Sequence, residues 1–138
     1  MSDNEILELL KKHGVGDDLI LANNDLSEFD ASSQFVLVEF KFTKQTLNSY
    51  LIEMKKLINC FHFAETQGKY FYYIVVNPTN IFIWDVSKMI KFDNIKLECL
   101  LLPYQTNSEL HGKTTNKISK LITRLSIYKA DKTIKRKC

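Results

Sequence analysis

Three features of the sequence predict an α/β fold with a mixed central β-sheet flanked by helices. Residues 34–42 (Gln-Phe-Val-Leu-Val-Glu-Phe-Lys-Phe) are rich in β-branched and aromatic residues and read as a strand. Residues 70–77 (Tyr-Phe-Tyr-Tyr-Ile-Val-Val-Asn) are apolar on both faces, as a central strand is. Between them, Leu47, Tyr50, Leu51, Met54, Leu57, Ile58 and Phe61 fall at helical spacing and predict one long helix over residues 44–61. A helix joining two strands is a βαβ-type crossover, which implies a mixed sheet with helices on its faces.

The remaining elements follow in chain order. Ser2 and Glu5 have capping-box spacing, and Ile6, Leu7, Leu9 and Leu10 give residues 2–13 an apolar helical face. Gly14 and Gly16 stop that helix. Residues 17–22 read as a short strand, Asn23-Asn24 as a turn and residues 25–30 as a weaker strand. Ala31-Ser32-Ser33 reads as a hairpin turn into the 34–42 strand. Thr43 is the expected N-cap of the long helix, with Lys55 and Lys56 in its C-terminal half. After a turn at 77–80, residues 81–86 return as a strand, and residues 87–91 make one helical turn. Residues 95–102 are a further strand closed by Pro103, and residues 104–115 are loop-like. From about Thr115 the stripe Ile118, Leu121, Ile122 and Leu125 predicts a last helix, with a frayed end beyond it.

Length and composition suit one domain with a real core: 138 residues, 45% hydrophobic and 25% charged. No apolar run approaches a membrane span, and the acidic Met1-Ser2-Asp3-Asn4-Glu5 start is unlike a signal peptide. The expected location is the cytoplasm, or the nucleus in a eukaryotic host, with no membrane partner. Cys60, Cys99 and Cys138 lack paired spacing, which argues against a disulfide framework and a four-ligand zinc site. Gly14-x-Gly16 follows a helix and is not a dinucleotide loop, and no phosphate-binding Lys-Ser/Thr loop is present.

Charge is unevenly spread. Residues 1–112 hold 10 basic and 15 acidic side chains, a net of −5. Residues 113–138 carry a net of +8, with Lys113, Lys117, Lys120, Arg124, Lys129, Lys132, Lys135, Arg136 and Lys137 against Asp131. Such a basic end suits either a polyanion such as DNA or a solvated tail.

Chemistry enters at Glu39 and Lys41. Two residues apart on a strand, they leave the same face. A carboxylate and an ammonium on an otherwise buried strand are costly unless they pair or bind something. Glu53-Met54-Lys55 has the same spacing, but is expected on the long helix, where i and i+2 do not share a face. Trp84, Tyr70, Tyr72 and Tyr73 could stack nucleic-acid bases, but aromatic residues on apolar strands are usually core.

The Glu39-Phe40-Lys41 element, an acidic residue upstream of it and the αβββαβ order over roughly residues 2–86 resemble the PD-(D/E)xK nuclease superfamily, with its restriction-endonuclease-like fold. The resemblance implies that Glu39 and an upstream aspartate hold Mg²⁺ or Mn²⁺, while Lys41 assists the attacking water. Phosphodiester hydrolysis has use for such a set: carboxylates hold a hard cation, and an ammonium balances charge developing on the phosphate. A hairpin turn centred on Ser32 would set Asp25 opposite Glu39 and leave Asp30 beside the turn. Phe29-Asp30-Ala31 looks more like the family's upstream motif. Both aspartates are carried, with a slight preference for Asp25; neither follows the family's proline. Glu5 could support the site, but its capping role is the simpler one.

On this reading residues 1–128 are a nuclease-like domain and residues 129–138 a basic C-terminal tail. The expected activity is metal-dependent cleavage of DNA, junction-resolving or nicking, by a homodimer, with the basic residues of 113–137 on phosphates. The alternative is a non-catalytic binding or inhibitor protein of a phage or mobile element on the same scaffold, engaging a protein partner.

Overall fold

The structure, a computed structural model, describes residues 2–22, 29–92, 95–103 and 117–136. Their order is α1 (Asp3–Lys12), β1 (Ile20–Leu21), β2 (Ala31–Ser32), β3 (Val36–Phe42), β4 (Ser49–Glu53), α2 (Met54–Thr66), β5 (Tyr70–Val76), β6 (Asn80–Asp85), α3 (Val86–Lys91), β7 (Glu98–Pro103), β8 (Lys117–Ser126), a 3-10 turn (Ile127–Lys129) and β9 (Lys132–Lys135). The described strands form a six-stranded sheet in the order β1-β2-β3-β5-β6-β9 and a three-stranded sheet in the order β4-β8-β7. β3 and β5 run parallel and every other pair is antiparallel, so the larger sheet is mixed, as the crossover between them requires.

Side-chain alternation on β3 divides the core between the two faces of this sheet. Val36, Val38 and Phe40 join Ile74, Val76 and Ile81 beneath Ile6, Leu7 and Leu10 of α1. Leu37 joins Phe71, Tyr73, Val75 and Trp84 on the other face, beneath Leu57, Cys60 and Ala64 of α2. The smaller sheet completes that second layer with Tyr50, Ile52 and Leu125. Glu39 and Lys41 share the parity of Leu37 and so face α2. Trp84 is fully buried and its indole N–H donates to the Ser126 carbonyl at 2.9 Å, which pins the two sheets together. Trp84 and Tyr73 are therefore core residues.

Several elements differ from the sequence prediction, each for a physical reason. Residues 44–61 are not one helix. Thr43 Oγ1 accepts the Gln45 N–H at 3.1 Å in a turn, and the Tyr50 hydroxyl takes the Leu47 N–H and donates to the Gln45 carbonyl. Residues 49–53 then pair with β8, burying Tyr50 and Ile52 alternately, and the helix starts only at Met54. Residues 117–126 are the central strand of the smaller sheet, not a helix, because both of their edges are paired. Their helical spacing is overridden by this two-sided pairing, which buries Ile122, Thr123 and Leu125. The C-terminal end is not frayed through its length: residues 132–135 pair with β6 and bury Ile134. No described helix is long and apolar enough to cross a membrane.

The hairpin into β3 is also shifted. Ala31 and Ser32, expected in the turn, form β2. The turn lies at Ser33-Gln34-Phe35, where Ser33 Oγ accepts the N–H groups of Phe35 and Val36 and the Ser33 N–H reaches the Val36 carbonyl at 2.8 Å. Ala31 pairs with Val38, and Asp30, just before β2, bonds through its own N–H to the Val38 carbonyl beside Glu39. Asp25, preferred for that place from the sequence, lies outside the described residues.

Candidate active site

The β2–β3 hairpin delivers two carboxylates to one place. The Asp30 N–H donates to the Val38 carbonyl at 2.9 Å, and Asp30 Oδ2 accepts the Phe40 N–H at 2.7 Å. That bond ties the aspartate across the hairpin and sets it against Glu39. Glu39 is only 7% exposed. Burial, then the neighbouring Asp30 charge, pushes its carboxyl up from 4.5 to about 7, against the opposing pull of Lys56.

Lys56 enters from the first turn of α2. Its Nζ lies 2.6 Å from Glu39 Oε1, with the lysine half exposed and the glutamate buried. Burial alone would lower the Lys56 pKa, but the Glu39 hydrogen bond and charge outweigh it and hold the ammonium above its ordinary value. Lys41 is half-buried on the same face of β3. Burial lowers its pKa, the Lys56 charge adds to the effect, and Glu53 opposes it. Lys41 forms no ion pair with a described carboxylate.

Glu39, Lys41 and Lys56 line a cleft of about 280 Å³ together with Leu51, Glu53, Tyr73 and Leu102. Tyr73 stands beside Glu39 on the paired strand, and burial followed by the Glu39 charge pushes its phenol up. Glu53 Oε1 meets Lys120 Nζ at 3.1 Å, so β8 closes this wall with an ion pair.

The structure thus brings Asp30 to Glu39 and sets Lys41 on the same face of β3 as Glu39. Glu5 does not join them: α1 covers the opposite face, and the Glu5 N–H is bonded to Ser2 Oγ. The proposed phosphate contacts scatter. Lys120 pairs with Glu53 and Arg124 Nε with Glu98 at 2.8 Å, while the Lys132 ammonium is bonded to the His13 carbonyl. Lys129 and Lys135 are exposed, and Arg136 is partly buried. Lys117 lies on β8, and Lys113 and Lys137 fall outside the described residues.

Lys56 is the functional side chain that sequence reasoning missed. Placed in the C-terminal half of a long helix, it looked like an ordinary complement to the helix dipole. With the helix starting at Met54, it is a cation in the first turn, where the dipole disfavours one. A basic first turn directly after a strand was the available signal that an acid lies nearby.

The donor set suits a hard divalent cation. Asp30 and Glu39 are adjacent carboxylates, the Asp30 charge adds to the cost of ionising Glu39, and a shared cation would relieve it. Among the described residues no cluster of three or more His, Cys, Asp or Glu side chains occurs, so water and substrate oxygens would complete the coordination. Comparison with protein families, curated proteins and solved structures finds no match to this chain.

Proposed function

We propose that this chain is a metal-dependent phosphodiesterase acting on DNA, on a restriction-endonuclease-like core of the PD-(D/E)xK type. The observation that carries the reading is the Asp30 carboxylate, held against Glu39 by the Phe40 N–H, with Lys41 two residues past Glu39 on the same face of β3. The run α1, β1, β2, β3, α2, β5 supports it, with β1, β2 and β3 antiparallel and β5 parallel to β3; β4 is an insertion before α2.

Asp30 and Glu39 would hold Mg²⁺ or Mn²⁺, which when bound polarises a phosphoryl oxygen and acidifies water. The chain's own residues then have distinct tasks. The Phe40 N–H fixes the Asp30 carboxylate through one oxygen and so orients it at Glu39. Lys41, unpaired among described carboxylates and depressed in pKa by burial, is placed to steady charge on the phosphate or to position water. Lys56 neutralises Glu39 until a cation takes over that role.

A second reading, a non-catalytic binding protein on the same scaffold, is favoured by one observation: Lys56 already compensates Glu39. Cleavage of labelled duplex, single-stranded and four-way-junction DNA in Mg²⁺ and Mn²⁺ separates the two. Cutting by wild type that is lost in both Glu39→Ala and Lys41→Ala supports the nuclease. Folded wild-type protein that cuts none of the substrates supports the binding protein.

A further inference from the structure

A second cavity, of about 460 Å³, opens at the C-terminal ends of the parallel pair β3 and β5. It is lined by Phe42, Thr43, Lys44, Val76, Pro78 and Arg136. Two of these are cations and none is an acid. Lys44 is exposed and forms no ion pair with a described carboxylate.

Arg136 is held in place from two sides. Its Nη1 donates to the Asn77 carbonyl at 2.6 Å, and its backbone N–H to the Thr79 carbonyl at 2.8 Å. Its Nε is buried and has no hydrogen-bond partner among the described residues. The guanidinium lines the cavity, and an oxyanion is the acceptor that it binds best. Phe42 is half exposed beside this pair of cations, edge-on to Phe40, and Val76 and Pro78 extend its apolar surface.

We propose that this cavity is a second nucleotide subsite, in which Lys44 and Arg136 bind a phosphodiester oxyanion of a DNA strand and Phe42 packs against its base or sugar. Thr43 lies two residues past Lys41, a step of ~7 Å along an extended chain, which sets the cavity at the end of the same strand that carries Glu39 and Lys41. The assignment deepens the nuclease reading and rests on it for the source of the phosphate.

The test is an NMR titration of the full chain, without divalent metal, using 5′-phosphorylated dithymidylate and, separately, inorganic phosphate. The expected result is dinucleotide-induced shifts at Phe42, Lys44 and Arg136, with about tenfold weaker binding in Lys44→Gln and in Arg136→Gln, the loss of one charge-assisted hydrogen bond. Lys44 is exposed, so Lys44→Gln decides the matter even if Arg136→Gln loosens the C-terminal strand. Unchanged affinity in Lys44→Gln, shifts only elsewhere or no binding overturns the proposal. Inorganic phosphate binding as tightly as the dinucleotide also overturns it, in favour of a free-phosphate site. Dinucleotide binding here in a protein that cuts no DNA keeps the subsite and removes the nuclease. Cleavage with an unchanged KM in Lys44→Gln does the reverse.

Discussion

The Asp30 carboxylate, just before β2, lies against the Glu39 carboxyl, held by the 2.7 Å bond from the Phe40 N–H to Asp30 Oδ2. The contact places two carboxylates in a buried region that holds Lys56 against one of them. Hydrophobic packing alone would favour an apolar residue at Glu39, since Leu37 and Tyr73 beside it on the same face are buried. The cost of keeping this acid there is the physical signature of the site, and it can be measured.

The pH dependence of stability should carry that cost. In the folded chain the Glu39 carboxyl is raised from 4.5 to about 7. Between those values the folded state binds more protons than the unfolded one, so stability falls as pH rises through the window. A shift of this size corresponds to about 3 kcal/mol. Glu39→Gln should therefore be more stable than wild type at about pH 8, and no more stable at about pH 4, where the carboxyl is neutral. Denaturant unfolding at both pH values checks this; a difference between the proteins that is independent of pH contradicts it.

Lys56→Met should act in two opposite directions. It leaves a buried carboxylate uncompensated, and because the lysine is half exposed the loss should be about 1–2 kcal/mol near neutral pH. The loss should shrink toward about pH 5, where Glu39 is protonated. The same substitution removes the competitor for Glu39 Oε1, so Mn²⁺ affinity by isothermal titration should rise. A fall in affinity would mean that Lys56 supports the cation site and does not compete with it.

Ile134→Ala should expose the C-terminal residues as structure. Ile134 is buried opposite Ile81 in the edge pairing of β9 with β6. Truncation should cost about 2–3 kcal/mol in equilibrium unfolding. A change below about 0.5 kcal/mol, the range of ordinary surface substitutions, would restore the frayed-tail picture. The result bears on DNA work too, because deleting residues 129–138 to test for phosphate contacts would also strip an edge strand from the sheet.

What was legible in the sequence follows from which signals were local. β3, β5 and β6 were readable because their β-branched and aromatic runs are continuous and both of their edges are paired. The parallel crossover followed from the intervening helical stripe, of which Leu57 does face the core. β4 and β8 were not readable. Tyr50 and Leu51, or Leu121, Ile122 and Leu125, satisfy helical spacing as well as strand pairing, and only the partner strand decides between them. The same limit affected the site. Glu39 and Lys41 could be named from a two-residue spacing. Placing Asp30 beside Glu39 needed the position of one turn, which Ser33 sets through its hydroxyl. Lys56 needed the true start of α2.

On the proposed function, Asp30 and Glu39 jointly hold a divalent cation. The most direct measurement is Mn²⁺ binding followed by electron paramagnetic resonance, on wild type beside Asp30→Asn and Glu39→Gln, with folding checked by circular dichroism. The account predicts one Mn²⁺ site in wild type that is lost or greatly weakened in each variant. Binding that survives both substitutions, or a folded wild-type protein that takes up no Mn²⁺, would contradict it.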